Sequence, residues 1–469
     1  MSDKTLHVPG LSEDETVTLN LLAKKLKDRS NRNKLRSDYY DGKRAIRQVS
    51  SVIPPQYYRL AMALGWAAKG VDGLARRCNL DGMTWAGGDL DSLGFQELAD
   101  ENFLYSEFAS GRTDSLIHGV SYLITTQGDD GEPRALVHAK DALNATGEWN
   151  SRRRSLDNLL SVTSRERDEI TGFVLYLEGE TISAEKETGA WKITDRSEHP
   201  WHVPVDPLVY RPRSSKRMGR SRITRPLMGF QDAALRALVR LEGHMDIYSI
   251  PQLIILGAPE SIFKNADGSL KPSWKVALGR AFGIPDDDDP TAAQPRADVK
   301  QFNAQSPEPH LANLNTLAKL AARETDLSDA DFALTDLANP TAADSYSEAR
   351  ENLIAEAEGA TDDWSVPIRK TVMRALAIQN GLDEIPSDWK SIETKWRPPA
   401  FVSKSAQADA GAKQVAAVPW LAETRIGLEL IGLTEKQIVE ALSEKQAAER
   451  RIAGRAVVAA VTGTNANSG

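Results

Sequence analysis

Near the start of the chain, hydrophobic positions recur at helical spacing. In LSEDETVTLNLLAKKLKDR, Leu19, Leu22 and Leu26 share one helix face, and Ser12 with Glu15 forms a capping-box pattern at its entry. SDYYDGKRAI reads as a break, with Asp41-Gly42 as the turn. After Pro54-Pro55 a helical pattern resumes in QYYRLAMALGWAAKGVDGLARRC. The pattern then changes. DGMTWAGGD is rich in turn residues, and ENFLYSEFASGRTDSLIHG predicts a further helix. VSYLITTQGDDGEPRALVHAKDALNATGEW, EITGFVLYLEGETISAE and GAWKITD read as short strands joined by Gly, Asp and Glu turns. Helices thus lead into a mixed α+β region over about 77–210.

Beyond it, Leu227, Phe230, Ala234, Leu238, Leu241 and Met245 recur at intervals of three or four. They predict a long amphipathic helix that ends at Pro251. PQLIILG and DVKQFNA predict strands separated by loop-rich sequence, and Leu311, Leu314, Leu317 and Leu320 stripe a second helix. Two helices therefore flank a compact segment with strand character. Asn339-Pro340 supplies an N-cap and a first-turn proline for a helix to about Ala360. SVPIRKTVMRALAIQNG predicts another, closed by Gly381, and WKSIETKWRPPAF a short strand. From 401 to about 460 the sequence is Ala-, Glu-, Lys- and Gln-rich helix, and TGTNANSG reads as a disordered tail. The fold class is mainly α with smaller α+β parts.

Composition narrows the function. The 469 residues are 41% hydrophobic and 26% charged, with a net charge of −8. That balance excludes a protein that grips nucleic acid through a broad basic surface, but suits one that lets DNA pass unheld. Cys78 is the only cysteine, so neither an intramolecular disulfide nor a cysteine-based zinc site can form, and LARRCNL reads as a buried position. The N-terminus lacks a signal-peptide pattern and no run of about 18 apolar residues exists, so the expectation is a soluble protein of a reducing setting, without membrane contact.

Catalytic patterns are missing. There is no Gly-x-x-x-x-Gly-Lys-[Ser/Thr], Gly-x-Gly-x-x-Gly, Gly-x-Ser-x-Gly or His-Glu-x-x-His, and only His199 and His202 lie close together among the histidines. We assign no catalytic residue, cofactor or metal. Scattered carboxylates meeting in space keep a metal-dependent nuclease open as one reading, and a structural or adaptor protein is another. Asp286, Asp287, Asp288 and Asp289 lack the alternating spacing of a calcium loop. They read first as a solvated loop, then as a docking site, and only last as a metal site. The run from Arg211 to Arg225 holds seven basic residues. Arg217, Arg220 and Arg222 are candidates to meet DNA or a neighbouring subunit, against the alternative of a solvated or salt-bridged face. SRRRS at 151–155 reads as exposed loop.

Taken in order, YYDGKRAI, GRSRITRPLMGFQDA, SIPQLIILG and NPTAADSYSEARENLIAEAEGA resemble stretches of the portal (head-to-tail connector) proteins of tailed double-stranded DNA bacteriophages, siphovirus-type. The first is similar to that family's Tyr-Tyr-x-Gly helix exit, the second to its Gly-x-Ser-x-Ile entry to a stem helix. The last resembles an Asn-Pro-x-Ser/Ala-Ala entry to the long helix beside the channel. The resemblance spans about 15–445. It implies a portal-type fold: a wing (1–220 and 325–400), a two-helix stem (221–248 and 309–324), a clip (249–308) and a helical crown (401–469). It further implies a homo-oligomeric ring of twelve subunits at one capsid vertex of the virion, assembled in the host cytoplasm. Double-stranded DNA would pass through it. The large terminase (the packaging motor) and head–tail adaptors would dock on it, and major capsid and scaffold proteins would surround it.

By position, the tunnel loop is about 329–338 and the channel-side helix about 339–360. DNA-channel residues would then be Asp329, Asp331, Asp336, Asn339, Ala342 and Ala343, and Asp286–Asp289 would serve partner docking in the clip. Small residues let identical helices approach closely around an axis. Acidic loop residues brush the duplex without gripping it. Read without the resemblance, the same segment is an Ala-rich exposed helix with a Ser345–Glu348 capping box, preceded by a surface loop.

Overall fold

The computed structural model describes residues 5–43, 64–248, 252–256, 265, 267–269, 281–284, 298–302, 305–332, 343–400, 404–433 and 435–464. They form two units, Met1–Pro399 and Ala400–Gly469. In the first, α1 (Glu13–Tyr40) starts from the Ser12/Glu15 capping box and buries Leu19, Leu22 and Leu26. It runs through SDYY, where a break is expected, and ends at Asp41 and Gly42, the latter at φ 68°. Then come α2 (Trp66–Ala75), β1 (Leu80–Trp85), α3 (Phe95–Glu101) and α4 (Leu104–His118). The strands β2 (Val120–Gln127), β3 (Ala135–Asp141), β4 (Ala145–Asn150), β5 (Ser155–Glu166), β6 (Glu169–Leu177), β7 (Glu180–Glu187), β8 (Ala190–Glu198) and β9 (Val205–Val209) follow.

Strands β4 to β8 make an antiparallel meander in chain order, whereas β9 returns to pair with β2, giving the order β3-β2-β9. The meander's buried face, with Leu160, Phe173, Leu175 and Ile182, is covered by Leu19 and Leu22 of α1. Helix α5 (Arg225–Tyr248) leads to β10 (Gln252–Leu256), β11 (Ala281–Ile284) and β12 (Asp298–Phe302), a three-stranded sheet with β10 in the centre. Helix α6 (Glu308–Thr325) returns from it. The leucine stripe buries α6 only in part: Leu314 and Leu317 pack, half-buried, against a cluster that includes Leu227 and Ala234 of α5. Ala318, Ala321, Ala322 and Thr325 are its buried positions, and Leu320 is 41% exposed.

Helix α7 (Ala343–Gln379) is continuous through Pro367, where two helices are expected from the sequence. A proline inside a helix costs ~3 kcal/mol. Trp364, Ile368 and Val372 are each fully buried around it, and burial of one such side chain contributes about 1.5–3 kcal/mol, so packing outweighs the break. The same helix delivers Ala357, Ala360, Leu376 and Ile378 to the main core, shared with Phe108, Leu123 and Tyr210. Strand β13 (Ile392–Trp396) pairs antiparallel with β1, placing a strand in DGMTW where turn residues predict a loop.

The second unit contains α8 (Lys404–Ala417), α9 (Arg425–Leu430) and α10 (Glu435–Thr464). A Cβ at Gly411 would meet the Leu430 carbonyl at 2.1 Å, so only glycine permits this approach of α8 to α9. Helix α10 reaches Thr464, so the first residues of the expected disordered tail are helical.

Candidate functional site

Two helices, α5 and α6, project from a common base, and that base is built around Arg222. Its segment is fixed by backbone bonds: Arg222 N donates to Leu116 O (2.8 Å), Arg220 N to Tyr210 O (3.0 Å) and Tyr210 N to Gly119 O (3.1 Å). Gly219 has φ 62°, and a Cβ there would lie 2.4 Å from Tyr210 O, so the turn admits no side chain. The Arg222 guanidinium is 6% exposed. Nε donates to Gly70 O (2.6 Å) in α2, Nη1 to Tyr210 Oη (3.0 Å), and Nη2 to Thr325 O at the end of α6. Glu356 of α7 accepts from Tyr210 Oη, pairs with Arg211, and lies 3.8 Å from Arg222 Nη1. One cation thus ties together α2, both helices of the pair and α7. Arg222, a candidate for contact with DNA or a neighbouring subunit, is therefore turned into its own chain. A buried guanidinium must be satisfied by internal partners, and this one is. Arg217 and Arg220 are exposed.

Above this junction Trp66, Leu227, Ala234, Ala318 and Ala321 form a small core, with Phe332 edge-on to Trp66 at 5.9 Å between centroids. From there the chain leaves α6 through Asp326, in the left-handed region at φ 53°, and Leu327 is buried against Gly73. Asp329–Asp331 is a short 3-10 turn capped by Ser328, whose Oγ donates to Asp331 Oδ2 at 2.8 Å. Asp331 Oδ1 also pairs with Lys69 of α2 at 3.3 Å. The turn is therefore held to its own subunit, with the Asp331 carboxylate paired to Lys69. Asp329 is half-buried beside it. Ala343 opens α7, while Asp336, Asn339, Ala342 and Asp286, Asp287, Asp288 and Asp289 lie outside the described residues.

Sequence reasoning overlooked Tyr210 and Glu356. A weak signal existed: Glu356 stands in IAEAEGA on the face that carries Leu353 and Ala360 into the core, an apolar stripe with one charge in it. A second group is also unforeseen. Asp114 of α4 is held up at about 7 by burial and by the nearby Asp141 and Glu107 carboxylates. Burial pushes its helix neighbour His118 down to about 4. Among the described residues, no three or more His, Cys, Asp or Glu side chains gather as a metal site requires, and no helix is long and apolar enough to cross a membrane. His202 Nδ1 lies 3.1 Å from Glu178.

The model for the family described as phage portal protein, SPP1 Gp6-like, matches residues 20–450. The chain belongs to the phage portal family. Among its relatives, the portal proteins of Mycobacterium phages L5 and D29 are each 25% identical over 420 residues, covering 87% of this portal chain and 84% of the relative. Among solved structures, it is similar to a chain in the neck of the native gene transfer agent particle computed with C12 symmetry. That chain is 15% identical at a TM-score of 0.41, with 85% of this chain and 99% of that one covered. A chain in the virion of the native gene transfer agent particle is also 15% identical, with a TM-score of 0.38 and coverage of 79% and 90%.

Proposed function

We propose that this chain is one subunit of a twelve-fold ring at a single capsid vertex, through which double-stranded DNA enters during packaging and leaves during ejection. The match to the portal family over 20–450 carries this reading. The order of elements supports it: a long helix, a small sheet, a returning helix, then a continuous 37-residue helix. In this reading 1–220 with 325–400 is the wing, 221–248 with 309–324 the stem, 249–308 the clip and 401–469 the crown. The segment 329–338 approaches DNA and the start of α7 lies beside the bore, with Asn339, Ala342 and Ala343 giving neighbouring helices room to converge. The ring is a structural conduit, and the reaction that drives DNA belongs to the large terminase docked on it. The clip, with Asp286–Asp289, receives that motor and the head–tail adaptors, and the surrounding shell is major capsid protein assembled on scaffold. Arg217 and Arg220 are exposed members of the basic run and in this reading meet DNA or the next subunit.

Assembly is the test. Sedimentation velocity over rising concentration, with and without capsid and scaffold proteins, is expected to resolve a discrete closed oligomer many times the 51.4 kDa subunit. A strictly monomeric chain under all those conditions contradicts the proposal.

A further inference from the structure

Several arginines of this chain pair with carboxylates. Arg153 meets Glu178 (2.7 Å), Arg196 meets Glu15 (2.9 Å) and Glu180 (2.8 Å), Arg374 meets Asp206 (2.7 Å), and Arg397 meets Asp81 (2.6 Å). Others, such as buried Arg112, on the Phe108 carbonyl (3.1 Å), and Arg77, on the Pro399 carbonyl (2.7 Å), do not, and in one place four arginines share a cleft. Between the C-terminal half of α1 and the turn that enters α5 lies a cleft of about 540 Å³ whose walls carry Arg32, Arg36, Arg220 and Arg225. Among the described residues none of the four makes an ion pair. Arg36 Nη1 donates only to the His118 carbonyl (2.8 Å), and Glu324 is occupied by the Thr224 hydroxyl (2.6 Å). Burial, and then the charge of Arg32, lower Arg36 to about 10, as expected of a guanidinium desolvated without an anion. The same cleft is lined by Leu35, Ile223 and Met228, which give it an apolar surface.

Four convergent guanidiniums around an apolar lining call for an anion that also brings hydrocarbon. A DNA duplex presents its phosphates on a convex surface about 20 Å across. It can touch the exposed Arg32, Arg220 and Arg225, but does not reach the largely buried Arg36. A carboxylate on a flexible side chain does reach it, and the planar guanidinium fork matches a carboxylate well. We propose that this cleft is a docking site for an acidic peptide segment of another protein chain, its carboxylates on the four arginines and an apolar side chain against Leu35, Ile223 and Met228. The chemistry of the cleft is independent of whether the subunit closes into a ring.

Fluorescence anisotropy on the full-length protein tests this, using a short fluorescein-labelled peptide alternating Glu and Leu, and a labelled single-stranded oligonucleotide of equal charge. The expected result is peptide binding that weakens as salt rises. It should fall about tenfold or more in Arg32→Gln and in Arg225→Gln, a loss of ~1.4 kcal/mol or more. Both residues are exposed, so these variants keep the parental melting temperature, and Arg152→Gln, remote from the cleft, leaves binding unchanged. No peptide binding at low salt, or binding insensitive to both cleft variants, overturns the proposal. So does tighter binding of the oligonucleotide with the same sensitivity, which makes the cleft a nucleic-acid site.

Discussion

Asp114 stays protonated in the folded chain to about pH 7, while the unfolded chain releases that proton near the ordinary value of 3.8. Between those limits the folded state holds the extra proton, so this group's contribution is fully present below about pH 3.8 and is lost as pH rises through about 7. His118 runs the opposite way between 6.5 and about 4, because its folded form resists the proton that the unfolded form takes up. Asp114→Asn removes only the first trend. Its melting temperature should exceed the parent's at about pH 8 and match it at about pH 4, and a gain equal at both would refute the assignment. Arg222 gives a larger effect. Arg222→Met leaves two buried carbonyls without their donor and removes a cation beside Glu356, which keeps Arg211, so chemical denaturation should register a loss of about 3–5 kcal/mol. A loss below about 1 kcal/mol would place Arg222 outside the junction's energetics. A one-dimensional reading could not have chosen Arg222 from Arg217 and Arg220. All three sit in one polar run, and what separates them is contact with Gly70 and Thr325, far away in sequence.

At the scale of elements, periodicity was a good guide where an element buries one face of its own. The capping box and leucines of α1 stand in the structure, α5 forms as a helix although Met245 is 43% exposed, and β6 and β7 form where strands are expected. It failed where tertiary partners decide. Strand β1 exists because β13 pairs with it across some three hundred residues, despite the glycine at its centre. In β9 the cause is the open edge of β2, despite Pro207. Helix α7 passes Pro367 because the core holds both sides of it. Helix α6 is the instructive case: Ala318 and Ala321 are fully buried in the cluster shared with α5, and of its leucines Leu314 and Leu317 join that cluster only half-buried while Leu320 is exposed. Ala321→Leu should overpack that contact and cost the isolated subunit about 1–3 kcal/mol in urea denaturation. Leu320→Ala, at an exposed position, should change subunit stability by less than about 0.5 kcal/mol. If the stem helices of neighbouring subunits meet there, it should weaken the ring. The reverse ranking in the isolated subunit would mean the packed faces are misassigned.

For the whole molecule, the net charge of −8 and the internal pairing of Asp331 with Lys69 suit a conduit that DNA slides past rather than a surface that retains it. The ordered set of motifs made the portal family legible in the sequence. The proposed place of the start of α7 was less so, because a helix that packed on copies of itself would leave only small residues, not a stripe, to be read. Electron microscopy of the purified oligomer viewed end-on measures this directly. The predicted map is a closed ring with an axial hole, the start of α7 and the segment after Asp329 being the parts nearest the axis. A map with residues 329–350 on the outer rim, or an assembly with no central opening, would contradict the account.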